Sequence, residues 1–125
     1  KIKVKYQHNK KVKILPWKSN LKQYYVNSNL FVLTSFYEGL PNVLIDAVNY
    51  KTPVISTNVS GAEDILLKQK GGNIVPIGNK KKLKNQIIDS ILNYNKFKKK
   101  ALIAHKHVHR FSNVNLIHYY NLMCK

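Results

Sequence analysis

The chain has 125 residues, a formal net charge of +17 and 44% hydrophobic residues. That is enough for one domain with an ordinary core, and it argues against disorder. No apolar run approaches the roughly 20 residues of a membrane-spanning helix, and the single cysteine, Cys124, excludes an internal disulfide and a cysteine-based zinc site.

In chain order, Lys11 to Leu15 read as a short strand that stops before Pro16 and Trp17. Asn20 is placed to cap a helix through about Asn27, with Leu21, Tyr24 and Tyr25 on one side. Leu30 to Thr34 is a continuous apolar run, the pattern of a strand buried on both faces of a parallel sheet. Glu38-Gly39-Leu40-Pro41-Asn42 is turn chemistry, and Pro41 suits the start of a helix. Residues 42–50 carry Val43, Leu44, Ala47 and Val48 on one helical face, with Asp46 on its flank. Pro53 to Thr57 is a second buried strand. Ser60-Gly61 precedes a short helix, Ala62 to Leu67, whose first turn holds Glu63 and Asp64 where the helix dipole favours them.

Gly71-Gly72 reads as a helix-ending turn into a third strand, Asn73 to Pro76. It is no phosphate loop, because no Gly-Lys-Ser/Thr follows. Residues 79–94 repeat Leu83, Ile87, Ile88, Ile91 and Leu92 at helical spacing, and two more helices are predicted over about 96–109 and 113–123. Strands alternating with helices predict an α/β domain with a parallel sheet.

The charge points to an anionic partner, but 21 of the 22 basic residues are Lys and only Arg110 is Arg. Arg is the residue that grips phosphates and base edges with two bonds at once, so the composition argues against specific nucleic-acid recognition. Lys, Asn, Ile and Tyr all have codons rich in A and T, and base composition alone can inflate Lys. Lys80-Lys81-Lys82 and Lys98-Lys99-Lys100 read as solvated helix faces, with an anionic membrane surface as the alternative. His105, His107 and His109 do not form a metal set, since only His105 and His109 share a helical face and no carboxylate or cysteine lies near in sequence.

The carboxylates are more informative. Glu38, Asp46, Glu63 and Asp64 fall within 27 residues, and only Asp89 lies outside that window. The stretch from Ser35 through Glu38-Gly39-Leu40-Pro41-Asn42 to Asp46, followed by Lys51 to Thr57 and Ser60-Gly61-Ala62-Glu63-Asp64, closely resembles the C-terminal, donor-binding domain of family-four retaining glycosyltransferases of the GT-B architecture. The signature of that family is two acidic residues separated by seven others, here Glu38 and Asp46. The likeness runs from about Val12 to Tyr120.

The resemblance implies an α/β, Rossmann-like parallel sheet and a chain, residues 1–125, forming part of the C-terminal nucleotide-sugar-binding half of a GT-B enzyme. The acceptor domain and the first part of the donor domain would then be missing, which fits a chain that begins with Lys1. It implies transfer of a sugar from a nucleotide-diphosphate-sugar donor to a glycan or lipid-linked acceptor, with retention, in cell-envelope polysaccharide synthesis. The setting would be the cytoplasm or the inner membrane face, and no metal cofactor would be required. Residue by residue, Glu38 would hold hydroxyls of the donor sugar and serve as the catalytic carboxylate. The backbone of Gly39, Leu40 and Asn42 would line sugar and diphosphate, Asp46 would accept from the ribose, Pro16 and Trp17 would hold the nucleobase, and Ser60 and Gly61 would form a small-residue loop beside the same cleft. Asp46 departs from the family, which more often has the longer Glu. The resemblance also implies that residues 1–125 alone are marginally stable and inactive. The rival readings are a non-catalytic Lys-rich module binding RNA or anionic membrane, and a degenerate gene remnant.

Overall fold

The computed structural model describes Tyr6 and residues 9–111; the helix predicted over 113–123 and Cys124 lie outside the described residues. Three parallel strands form one sheet in the order β1-β2-β3: β1 is Phe31–Leu33, β2 Val54–Thr57 and β3 Asn73–Val75. Phe31 pairs with Val54 and Leu33 with Ser56, while Ile55 pairs with Asn73 and Thr57 with Val75. The central strand β2 is buried at all four positions, as expected of a strand covered on both faces.

Successive β2 side chains point to opposite faces and so feed two cores. Val54 joins Leu44, Ala47 and Val48 of α2 (Asn42–Asn49), Ala62 and Ile65 of α3 (Ala62–Ile65), and Tyr25 of α1 (Lys22–Val26). Ile55 and Val75 meet Phe97 of α5 (Tyr94–His107), with Leu83 and Ile87 of α4 (Lys80–Leu92) packed alongside. A 3-10 turn, Val108–Phe111, closes the described chain.

Local signals set the helix starts. Asn20 Oδ1 accepts from the Lys22 N–H at 3.0 Å just ahead of α1, and Asn79 Oδ1 caps α4 by accepting from the Lys82 N–H at 2.9 Å. The carbonyl of Pro41 takes the first bonds of α2, from the N–H groups of Leu44 and Ile45.

Several expectations are corrected. Residues 11–15 form no strand: Val12, Ile14 and Leu15 are exposed, and among the described residues no neighbour satisfies a ladder there. In α4 only Leu83 and Ile87 of the apolar set turn inward; Ile88, Ile91 and Leu92 are exposed. Gly71 and Gly72 serve close packing rather than a left-handed turn. A Cβ on Gly71 would lie 2.5 Å from Ala104 Cβ, and one on Gly72 would lie 2.9 Å from Leu66 Cδ2. The left-handed backbone falls just before them, on Leu67, Lys68 and Gln69.

The Lys98-Lys99-Lys100 run is not uniformly solvated. Lys98 Nζ donates to the Lys51 carbonyl at 3.3 Å, and Lys100 Nζ donates to the Gln69 carbonyl at 3.0 Å and to Asn73 Oδ1 at 2.5 Å. Asn73 in turn donates to Gln86 of α4. Burial, then the nearby Lys96 ammonium, pushes the Lys100 pKa down. These bonds tie α5 to the segments entering β2 and β3, at the amino edge of the sheet.

Candidate functional site

Parallel strands bring Thr34, Thr57 and Val75 out on one edge, the carboxyl edge, where open α/β sheets hold their ligands. Two loops meet there. Residues 34–41 lead from β1 into α2, and residues 58–61 lead from β2 into α3. Gly61 adopts φ +76 at the start of α3, and its open side lies 3.4 Å from both Leu40 Cδ1 and Pro41 Cδ. The sequence-predicted pairs Leu40 with Asn42 and Ser60 with Gly61 thus belong to abutting loops.

Glu38 is half-buried in the first loop. Ser35 Oγ donates to Glu38 Oε1 at 2.6 Å, and Thr57 Oγ1 donates to the Ser35 carbonyl at 2.7 Å. The carboxylate is therefore fixed through Ser35 to the end of the central strand, with its other oxygen left to accept from elsewhere. A Cβ on Gly39 would meet nothing within 4 Å, so the backbone beside Glu38 presents an open side. The Asn42 N–H is used by the Leu40 carbonyl at 2.9 Å. Among the described residues the N–H groups of Gly39, Leu40 and Val43 meet no acceptor. Carbon-free approach at Gly39, unpaired N–H groups and a carboxylate acceptor in one turn suit a polyhydroxylated, anionic ligand.

Asp46 lies about 6 Å further along the α2 axis than Asn42 at helical rise. It lines a cleft of about 360 Å³ with Ser19, Asn20, Leu21, Lys22, Tyr25 and Tyr50. Burial pushes the Asp46 carboxyl above the usual carboxylate range. Tyr25 is 5% exposed, its ring stacks on Tyr50 at 5.8 Å, and its hydroxyl finds no partner among the described residues. Burial, then the Asp46 carboxylate and Tyr50, push the Tyr25 phenol up to about 12. A mostly polar cleft with one carboxylate, lined by Ser19, Asn20 and Lys22, suits a ligand that brings its own hydroxyl donors.

Pro16 and Trp17 are exposed, Trp17 at 86%, and line neither this cleft nor the Glu38 loop. Their segment reaches the Asp46 cleft through Ser19 and Asn20. Ser60 and Gly61 line a shallow depression with Glu63 and Asp64. The Asp64 carbonyl accepts from the Arg110 guanidinium at 2.6 Å, so the one Arg ties the last turn to α3. Among the described residues no three His, Cys, Asp or Glu side chains gather as a metal set.

Sequence reasoning missed the groups that act through others. Thr57 braces Ser35 across 22 positions, a contact with no local signal, whereas Ser35 three residues before Glu38 is a local pattern that was open to notice. Tyr25 and Tyr50 converge on Asp46 only through packing of α1 on α2. A further cleft of about 230 Å³ runs along the carboxyl edge, lined by Thr34, Phe36, Thr57, Val75, Leu83 and, at the start of α4, Lys80.

The family model described as glycosyl transferases group 1 matches residues 1–113. The capsular polysaccharide biosynthesis glycosyltransferase CapM of Staphylococcus aureus is 37% identical over 79 residues, covering 63% of this chain and 21% of CapM. The amylovoran biosynthesis glycosyltransferase AmsD of Erwinia amylovora is 37% identical over 67 residues, covering 54% of this chain and 19% of AmsD. The chain therefore spans about a fifth of the length of these curated relatives. Among solved structures, Anabaena HepE in complex with UDP-glucose superimposes with a TM-score of 0.81 at 20% identity, over 98% of this chain and 35% of HepE. That likeness establishes the fold as α/β of the GT-B type.

Proposed function

Because this chain belongs to the glycosyl transferases group 1 family, we propose that it supplies the nucleotide-sugar-binding part of an enzyme that moves a sugar from a nucleotide-diphosphate donor to a glycan or lipid-linked acceptor. The observation that carries the reading is Glu38. It is a carboxylate at the carboxyl end of β1, held on one oxygen by Ser35 at 2.6 Å, next to the open side of Gly39. In this role Glu38 accepts from hydroxyls of the donor sugar and fixes its anomeric carbon. The N–H groups of Gly39, Leu40 and Val43 and the amino end of α2 face the diphosphate, and Asp46 accepts from the ribose. Pro16 and Trp17 stand nearest the base, on the exposed segment leading to the Asp46 cleft.

As the sugar–phosphate bond breaks, negative charge builds on the departing diphosphate. N–H groups aimed at that charge lower the barrier without a proton transfer. The reading includes retention of the anomeric configuration, no metal requirement, and a cytoplasmic site at the inner membrane face. Supporting it, CapM and AmsD are described as polysaccharide biosynthesis glycosyltransferases, and HepE holds UDP-glucose. Residues 1–125 alone are proposed to transfer nothing.

The test uses the intact protein as encoded in its natural reading frame, with UDP-glucose as the first donor and a chelator arm. Glu38→Gln keeps the shape and removes the charge. Transfer should fall by about 100- to 1,000-fold, the scale of losing one group that stabilises the transition state, with an unchanged circular dichroism spectrum. Turnover by Glu38→Gln within a factor of a few of wild type would remove Glu38 from the mechanism.

A further inference from the structure

Apart from Lys80 at its amino end, which lines the carboxyl-edge cleft, the outward face of α4 takes no part in the site just described. Its residues fall into two rows at spacings of three and four: Lys80, Lys84, Ile88 and Ile91, and Lys81, Asn85, Ile88 and Leu92. All seven of these residues are exposed. Ile91 and Leu92 are 72% and 76% exposed, close to the exposure of an unfolded chain. Ile88, at 43%, joins them to the three lysines.

The inward face explains why these residues point out. Leu83 and Ile87 pack against Ile55, Val75 and Phe97, Gln86 bonds Asn73, and Ser90 donates to the Ile87 carbonyl. The face opposite is therefore fixed, apolar at its carboxyl end and cationic at its amino end. The one carboxylate on the helix, Asp89, is turned to the flank and held by Asn93 at 2.6 Å and by Lys96 at 3.5 Å. It does not neutralise Lys80, Lys81 or Lys84.

We propose that this face of α4 docks on an anionic lipid bilayer. The helix would lie in the interface for its length of about 20 Å. Ile88, Ile91 and Leu92 enter the boundary between headgroups and acyl chains. Lys80, Lys81 and Lys84 lay their stems along the surface and reach lipid phosphates with their ammonium groups. Charge selects this occupant. A second copy of the chain would have to bring together two molecules each carrying +17. The face is a convex helix side rather than a groove, which suits a plane better than a peptide. With α4 flat on the membrane, the carboxyl edge of the sheet opens sideways, so Glu38 stays reachable from both the aqueous phase and the surface.

The experiment is vesicle co-sedimentation of the intact protein at physiological salt. Vesicles of phosphatidylcholine alone are compared with vesicles containing one third phosphatidylglycerol. Binding is expected only to the anionic vesicles. The double variant Ile91→Ser with Leu92→Ser should weaken it about tenfold or more at unchanged net charge, which simple attraction of a polycation cannot produce. The triple variant Lys80→Gln, Lys81→Gln and Lys84→Gln should weaken it about 100-fold. A matched variant at Lys10, Lys11 and Lys13 should weaken it several-fold less. All substituted positions are exposed, and circular dichroism confirms the fold of each variant.

No binding to anionic vesicles overturns the proposal. So does equal weakening by the two lysine triples, or indifference to the Ile91 and Leu92 substitutions. A change in oligomeric state on those substitutions, without an effect on lipid binding, would assign the face to protein contact instead. Ile91 and Leu92 lie at the opposite end of α4 from the carboxyl-edge cleft that Lys80 lines, so nucleotide binding in lipid-free solution should stay at wild-type level in the Ile91 and Leu92 variant, which separates failure here from failure of the transfer reading.

Discussion

Asp46→Asn should move stability and nucleotide binding in opposite directions. In the free protein, burial raises the Asp46 pKa, so ionisation is costlier in the folded than in the unfolded state. The folded state then holds this proton more tightly. Stability falls as pH rises from the ordinary carboxylate range through the raised pKa, and the deficit persists at neutral pH. Asn removes it. The carboxyl is exposed at the mouth of its cleft, so screening limits the gain to about 0.5 kcal/mol. That gain should shrink as pH falls through the raised pKa and vanish below the ordinary carboxylate range.

The bound state reverses the sign. A ribose that donates two hydroxyls to the carboxylate gains charge-assisted bonds of about 1.5–3 kcal/mol, taken at the lower end for an exposed carboxyl. Loss of that interaction raises the nucleotide Kd about 10- to 100-fold. Asp46→Ala should sit at the upper end, and Asp46→Glu should bind as well as wild type. Calorimetric titration of nucleotide into the intact protein, beside melting of the free protein, measures both effects. Wild-type affinity should also weaken as pH drops through the raised pKa, and Asp46→Asn should lose that dependence. An unchanged Kd for Asp46→Ala would refute the ribose contact and leave Asp46 as a solvated flank of α2.

Other outcomes follow from single contacts. Ser35→Ala frees the Glu38 carboxylate that Ser35 holds at 2.6 Å, and transfer should fall about tenfold, the scale of one hydrogen bond to a charged group, with the Tm little changed. Gly71→Ala places a methyl carbon 2.5 Å from Ala104 Cβ and should cost about 1–3 kcal/mol by urea unfolding. Combining it with Ala104→Gly should recover part of the loss, and additivity of the two would show that they do not collide. Gln69→Gly removes a side chain at φ +71 and keeps the carbonyl that Lys100 uses, so it should raise stability by about 0.5–1 kcal/mol. A lower denaturation midpoint for Gln69→Gly would show that the left-handed turn is unstrained.

The sequence was most legible where one short segment carries the whole signal. Leu30 to Thr34 announced a strand by an unbroken apolar run, although β1 is fully buried only at Leu33, Pro53 to Thr57 announced the fully buried β2, and Val43, Leu44, Ala47 and Val48 announced α2 and its inward face. The turn from Glu38 to Pro41 was legible for the same reason. Segments whose state depends on distant partners were not. Val12 and Ile14 alternate as a strand should, but a strand exists only where a neighbour takes its backbone bonds. In α4, spacing groups Leu83 with Ile87, Ile88, Ile91 and Leu92, yet Gln86 is bonded to Asn73 and Ser90 is buried on the inside, which leaves Ile88, Ile91 and Leu92 on the outward side. Nothing local distinguishes Lys98 and Lys100 from Lys99. Only the fold brings the Lys51 and Gln69 carbonyls to them.

Those lysines change what the net charge means. Lys98, Lys100 and Arg110 spend their hydrogen bonds on backbone carbonyls, where they close the amino edge and hold the last turn to α3. They are poor candidates for an external anion, since binding one would give up those bonds. Lys80, Lys81 and Lys84 make no such bond among the described residues, and they are among the cations available to a surface. The carboxylates divide likewise: Asp89 is paired with Lys96, Glu63 and Asp64 lie in the first turn of α3, Asp46 opens onto a cleft, and Glu38 is half-buried beside Ser35 with one oxygen held. A donor carrying a diphosphate tolerates carboxylates only beside its hydroxyls, because a carboxylate facing the phosphates repels them. In the proposed pose, Glu38 beside the sugar and Asp46 beside the ribose satisfy that condition, with the N–H groups at the start of α2 left between them for the diphosphate. In this pose the distance between Glu38, in the loop before α2, and Asp46, on α2 itself, makes room for a pyrophosphate, and a single residue inserted in α2 between Asn42 and Asp46 would rotate Asp46 about 100° relative to the start of the helix.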